Sequence, residues 1–422
     1  MKRSRTFLAK IKRGFSILGP GLVTGASDDD PSGIATYSQA GAQFGLSTLW
    51  TALLTFPLMA AIQGMCARIG LVTSQGLTVT LKQHYSKPLL YTMLLFSFPA
   101  ITLNIGADIE GMGAVANMLF PKIPVWVFCV VITSTLMFII IKYPYQKIAR
   151  ILKWLCLSLL LYMVVPFMVK QNWVAVAKNT FIPSIQLNKD SFSIIVAILG
   201  TTISPYLFFW QATMEAEGIA HSKRSVIVNK RVLDDMKADV NIGMFLSNVV
   251  MFFIILTAGS ILFPAGIKQI NTVDQAAKAL EPLTGRLTYL TFAVGVMGTG
   301  LLAIPVLAGS QSYMLAETFG WNAGLDKKFP QAKAFYISII FSLLVGLSLD
   351  FLNISPIKAL LYTAISYGLT APIMIAIVMH IGNNKKIMKE NTNSKLSNIL
   401  GLITLLLMTV AAIALIYSLL VS

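Results

Sequence analysis

Charge is scarce in this chain: Asp, Glu, Lys and Arg make up 12% of its 422 residues, about half the share of a soluble globular protein. That excludes an ordinary water-soluble domain. Cysteine and histidine are scarcer, three of each. Cys66, Cys129 and Cys156 fall within or beside apolar runs, at a spacing that resembles neither a zinc motif nor a disulfide framework, so buried, inert thiols are expected. His84 and His221 lie in polar loops and His380 at a helix end, too scattered for a metal centre. No nucleophile–base set and no GxxxxGK[ST] phosphate loop occurs, so no enzyme and no resident cofactor is expected. A long hydrophilic domain of the kind expected of a signalling metal sensor is also missing. No small-residue cleavage site follows the basic "MKRSRTFLAKIKRG", so a removable leader is not expected.

Apolar residues fill the space that charge leaves, 56% of the chain. Runs long enough to cross a hydrocarbon core of ~30 Å recur from end to end. Eleven spans are read at 15–40, 46–68, 89–119, 123–141, 148–169, 193–214, 240–263, 287–314, 334–349, 355–380 and 397–420. With the N-terminus in the cytoplasm, this alternation places 25 of the 33 lysines and arginines inside and 8 outside. Such a bias is the positive-inside signature, and it puts the C-terminus outside. The net charge of +16 therefore reflects topology and contact with anionic lipid in the cell membrane; no nucleic-acid surface is implied.

The largest polar segment, "EGIAHSKRSVIVNKRVLDDMKAD" at 217–239, divides the first ten spans into two sets of five. Span one is interrupted by "GASDDDPSG" (25–33). Span six is interrupted by Gly200, Thr201, Thr202, Ser204 and Pro205. The first helix of each set thus carries a proline flanked by small polar residues at mid-depth, and the two enter the membrane from opposite sides. Interrupted segments at matching positions of two inverted halves mark the binding site of a transporter. The expected organisation is a cytoplasmic N-terminus (1–14), a first five-helix repeat (15–169), an inverted second repeat (170–380), and a cytoplasmic loop with an eleventh helix (381–422).

A carboxylate at the bilayer centre costs about 2.5–3.5 kcal/mol on insertion scales, so Asp28, Asp29 and Asp30 cannot face lipid. They must meet water, protein or a cation. Asp30 is best placed at the break, since Pro31 removes a backbone donor and Gly33 permits unwinding. Carbonyls freed near Ser27 and Asp30 would join the carboxylate in an all-oxygen site of the kind hard divalent cations prefer. Asp28 and Asp29 either line the outer vestibule or serve structure. In span three, Asp108 and Glu110 also lie at membrane depth, two positions apart and so on different faces; Glu110 is a candidate proton acceptor, a partner for a backbone donor or a support for the ligands. Glu215 and Glu217 are expected to be solvated at the end of span six, with an exit path as the alternative. Glycines 19, 21, 25, 41 and 45 are expected to allow close helix contact.

These segments carry a resemblance. "GPGLVTGASDDDPSGIATYSQAGAQFG" resembles the first helix of the NRAMP family of divalent-metal transporters, whose pattern runs GPG, DPGN, QAGAQFG. "QGMCARIGLVTSQGL" is similar to that family's second helix and "ADIEGMGAVANMLF" to its third; Asp239 with Asn248 resembles the seventh, and Gly298 with Gly309 the eighth. The likeness implies an all-α, LeuT-type fold of two inverted five-helix repeats plus one helix. The departures also carry information. DPGN reads Asp30-Pro31-Ser32-Gly33, and the sixth-helix MPHN reads Ser204-Pro205-Tyr206-Leu207. The family's metal-binding methionine falls on Ser204, its two sixth-helix histidines on Tyr206 and Gln211, its third-helix aspartate on Ala107, and the glutamines of helices eight and ten on Thr299 and Ala364.

Losing the thioether removes a preference for softer metals. Glycine in place of asparagine is expected to empty space beside Asp30, and a roomy, oxygen-only site suits Mg²⁺, which dehydrates reluctantly. In this the chain is similar to a divergent branch of NRAMP-related magnesium transporters. The expected function is import of a divalent cation, Mg²⁺ ahead of Mn²⁺, by alternating access without proton coupling. Spans one and six would rock against three, four, eight and nine, in a monomer surrounded by lipid. The expected metal set is Asp30, Ser27, Gly33, Thr201 and Ser204. Asp28, Asp29, Asp108, Glu110, Tyr206, Gln211 and Thr299 are expected along the pathway or a proton relay. Two alternatives remain: proton-coupled Mn²⁺/Fe²⁺ symport, and symport of an organic solute such as an amino acid.

Overall fold

The first apolar run is broken as its sequence demands. In the computed structural model, which describes residues 19–144, 147, 161–186, 188–220, 228–281, 288–349 and 355–421, it forms α1 (Pro20–Asp28) and α2 (Pro31–Phe44). Asp29 leaves helical geometry, Asp30 is extended, and Pro31, which has no N–H to lose, starts α2. After α3 (Trp50–Thr73) and the short α4 (Leu77–His84) come the long α5 (Lys87–Leu119) and α6 (Val125–Lys142). α7 (Leu161–Met168) and α8 (Trp173–Phe181) precede a second broken helix, α9 (Lys189–Thr202) and α10 (Pro205–Ala220), interrupted at Ile203 and Ser204. Then follow α11 (Lys230–Ile261), α12 (Val273–Ala277), α13 (Thr288–Phe319), α14 (Lys333–Ser348), α15 (Pro356–Asn383), α16 (Lys385–Met388) and α17 (Lys395–Val421).

Eight helices among the described residues, with α9 and α10 taken together, are long and apolar enough to cross a membrane, and the 16-residue α14 is a shorter apolar helix. With the broken α1–α2 pair, this is consistent with the expected crossings. Most of span five, its first half together with Cys156, lies outside the described residues, as do residues 1–14 and His221. Most helix ends fall within about six residues of the predicted spans, and the largest difference is at α11. α11 starts ten residues before the predicted span, because Asn229 caps it by accepting from the Val232 N–H at 3.1 Å. The short helices α4 and α8 have no counterpart among the predicted spans.

Burial separates the centre of the bundle from its rim. The apolar window of α9–α10 is 83% buried, against 28% for α6 and for α17, whose exposed Phe138 and Val410 face outward as lipid-contacting side chains do. Both broken helices are therefore central. Backbone contact fixes them there. A Cβ on Gly21 would lie 2.6 Å from the Val240 nitrogen, and one on Gly25 would overlap the Gly243 carbonyl, so α1 lies directly on α11. In the second half, Gly200 packs in the same way on Ala364 and Gly368 of α15. Small residues allow this approach where no water-driven force pulls helices together. Asp239 of α11 adds a polar clamp: its carboxylate accepts from the N–H groups of Gly19 (2.8 Å), Gly21 (2.7 Å) and Leu22 (3.2 Å), capping the first turn of α1.

Candidate cation site

At the first break, Asp30 Oδ1 accepts from the Gly33 N–H at 2.7 Å, which caps α2. Its other oxygen, Oδ2, accepts from Asn104 Nδ2 at 3.0 Å. The same amide lies 3.4 Å from Asp108 Oδ2, one turn further along α5. Asp28 and Asp29 turn the other way, toward α11: the Ser247 hydroxyl donates to Asp28 Oδ2 at 2.8 Å and stands 3.3 Å from Asp29 Oδ1. All four carboxylates are at least 96% buried, and no lysine, arginine or histidine pairs with any of them among the described residues. Nor do those residues include three or more His, Cys, Asp or Glu side chains grouped to hold a metal ion.

The remaining predicted site residues surround this centre in different ways. Gly33 is close to Thr201: a Cβ on Gly33 would lie 3.1 Å from the Asp28 carbonyl, 3.4 Å from the Tyr37 ring and 3.5 Å from Thr201 Oγ1. The space expected to be empty beside Asp30 is thus bounded next to Gly33 by the Asp28 carbonyl and the Tyr37 ring. The Ser27 carbonyl, expected to be free, accepts from the Tyr206 hydroxyl at 3.0 Å. That bond joins the two broken helices, and the Tyr206 ring rests 5.7 Å from that of Tyr367 on α15. The Ser204 hydroxyl turns back onto its own chain, donating to the carbonyls of Thr201 (2.7 Å) and Gly200 (2.9 Å).

Gln211 accepts from the Thr24 hydroxyl at 2.5 Å and donates to Glu215 at 2.9 Å, so it links α1 to α10 away from the break. Glu215, expected to be solvated, is instead buried with Gln211 as its partner, and Glu217 accepts from the Tyr313 hydroxyl at 2.7 Å. Thr299 is buried on α13 and donates to the Val296 carbonyl of its own helix at 3.2 Å, while a Cβ on the adjacent Gly300 would reach Pro31 at 3.3 Å. Ala107 and Ala364 are buried, as is Glu110 on α5. Asn248 faces α3, where it accepts from Thr55 at 2.7 Å.

Two residues at the centre, Asn104 and Ser247, were not anticipated. Asn104 had a usable signal, since it lies one turn before Asp108 and shares its face. Ser247 had none. Its carboxylate partners are 219 and 218 positions away in sequence.

The sequence model of the natural resistance-associated macrophage protein-like family matches residues 21–418. The chain belongs to this family. The divalent metal cation transporter MntH of Caldanaerobacter subterraneus subsp. tengcongensis is 23% identical over 407 residues, covering 95% of this chain and 93% of its own. Among solved structures, the manganese transporter of Eremococcus coleocola, in complex with an aromatic bis-isothiourea-substituted compound, superposes with a TM-score of 0.76 at 17% identity, over 96% of this chain and 87% of its own. MhsT in complex with L-phenylalanine superposes at 0.59 with 13% identity, over 95% and 97% of the two chains. The fold is thus that of NRAMP within the wider LeuT-type architecture, and the chain is a multi-pass membrane protein.

Proposed function

We propose that this NRAMP protein imports a divalent cation across the cell membrane by alternating access, with Mg²⁺ preferred over Mn²⁺ and without obligatory proton coupling. The observation that carries the reading is Asp30: a buried carboxylate at a helix break, bound by two donors and by no cationic side chain. A buried anion without a counter-charge is costly unless a positive guest neutralises it. The second break supports an oxygen-rich site, because Ser204 offers a hydroxyl where a thioether would select softer metals. The membrane potential is then a sufficient driving force, since a divalent cation gains ~4.6 kcal/mol per 100 mV. The N-terminus is cytoplasmic and the C-terminus outside, and the 25-to-8 distribution of lysine and arginine supports this orientation.

Uptake into sealed proteoliposomes carrying a fluorescent Mg²⁺ or Mn²⁺ reporter tests the proposal. Metal-dependent signal is expected from the native chain and none from Asp30→Ala. Full activity in that variant overturns the reading.

A second reading, proton-coupled Mn²⁺ uptake, draws support from the Eremococcus coleocola manganese transporter, whose fold the chain shares, and from the buried Glu110 on α5. It predicts acidification of the vesicle lumen during Mn²⁺ entry, abolished by Glu110→Gln. Organic-solute symport is disfavoured by carboxylates at the break, where an anionic substrate would be repelled.

A further inference from the structure

We propose that the transported cation is held jointly by the first break and by α5, with Asp108 and the Asn104 side-chain oxygen as ligands alongside Asp30. This inference rests on the proposed divalent-cation transport and identifies where the ion binds.

Three observations converge. Asn104 and Asp108 are one turn apart, so both side chains leave α5 on the face that meets the break. A single amide nitrogen spans the two carboxylates, 3.0 Å from Asp30 and 3.4 Å from Asp108, which places all three side chains within reach of one small ion. Two oxygens of this group, Asn104 Oδ1 and Asp108 Oδ1, are buried without any hydrogen-bond partner, and neither residue is exposed to solvent. Native proteins rarely leave buried acceptors unpaired, and those that remain call for an explanation such as an ion.

Charge and ligand type agree with a hard divalent ion. Two carboxylates carry the charge that one such ion neutralises, and no basic side chain competes for it. Carboxylate and amide oxygens are hard ligands; Mg²⁺ in particular is bound through one or two carboxylates while keeping several waters. With an ion present, rotation of the Asn104 amide would turn Oδ1 toward it and withdraw the N–H donors now shared between the two acids. The position of the acid matters. The residue before it, Ala107, leaves the helix about 100° away, so placing the carboxylate at 108 brings it onto the Asn104 face and toward Asp30. An ion held there touches both the broken helix and α5, and its binding therefore couples to their relative position.

Isothermal titration of the full-length protein in detergent with MgCl₂, and separately with MnCl₂, tests the assignment. Asp108→Asn is expected to weaken binding about tenfold or more, and Asn104→Ala to weaken it by a smaller factor. Asn104→Asp, which adds a third carboxylate, is expected to tighten it. Thermal melts of each variant confirm that it is folded; should Asp108→Asn fail that check, Asn104→Asp decides alone, and unchanged or weaker binding there overturns the assignment. Native affinity in Asp108→Asn and Asn104→Ala, with binding lost in Asp30→Ala, overturns the role of α5 and leaves the transport reading intact. Absence of metal binding by the native chain overturns both.

Discussion

Ser204 shows most plainly how one side chain sets the chemistry at the second break. Its hydroxyl hydrogen is directed to the Thr201 and Gly200 carbonyls, and in the proposed site the side chain would present an oxygen, having no sulfur to favour softer metals. Ser204→Met should raise Mn²⁺ uptake relative to Mg²⁺ in a competition assay. Because the position is buried, the larger side chain should also destabilise the fold by about 1–3 kcal/mol, visible as a lowered melting temperature. At this scale the sequence was legible where a residue violated its surroundings. Three aspartates in an apolar run could not be lipid-facing, and Asp30 indeed lies at the break. Legibility failed where the residue was unremarkable on its own. A single asparagine or serine in a membrane helix has no periodic signature, and the partners of Asn104 and Ser247 come from distant elements. The surroundings of Gly33, bounded by the Asp28 carbonyl and the Tyr37 ring, depend on the geometry of the break, which composition does not encode.

Among elements, α1 is the one whose attachment is most exposed to test. It is short, nine residues, and it is held to α11 by glycine-to-backbone contact and by the Asp239 carboxylate. Removing that cap with Asp239→Ala should cost about 1 kcal/mol, which speeds hydrogen–deuterium exchange of residues 20–28 about fivefold. Gly25→Val should loosen α1 further, since its side chain would collide with the Gly243 backbone. Unchanged exchange in both variants would show that α1 is fixed by other contacts. Both broken helices could be located from proline beside small polar residues, because those residues cannot sustain a continuous helix. The ends of helices were less legible. α11 reaches back to Lys230 through an asparagine cap and a charged first turn, a composition that read as loop. α4 and α8 were missed because eight or nine residues do not form a span.

For the whole molecule, the proposed orientation yields its own check. A tag after Ser422 should be accessible to an impermeant antibody on intact cells, and a tag before Met1 should not; the reverse pattern would invert the topology and the direction of import. The fold class could be read from the length, number and order of apolar runs, together with the paired interruptions, since a bilayer leaves few alternatives to a helical bundle. Conformation was not legible. That the four carboxylates are enclosed, with Tyr206 bridging the two broken helices, is a property of one packing arrangement among the several that the proposed alternating access requires.

The central claim, that a buried Asp30 carries a divalent cation across the membrane without proton coupling, is tested most directly by recording internal Mg²⁺ and internal pH together in proteoliposomes held at an inside-negative potential. The predicted result is a voltage-dependent rise in Mg²⁺ with no accompanying change in pH, lost in Asp30→Ala. Influx that persists in Asp30→Ala, or that occurs only with acidification of the lumen, would contradict it.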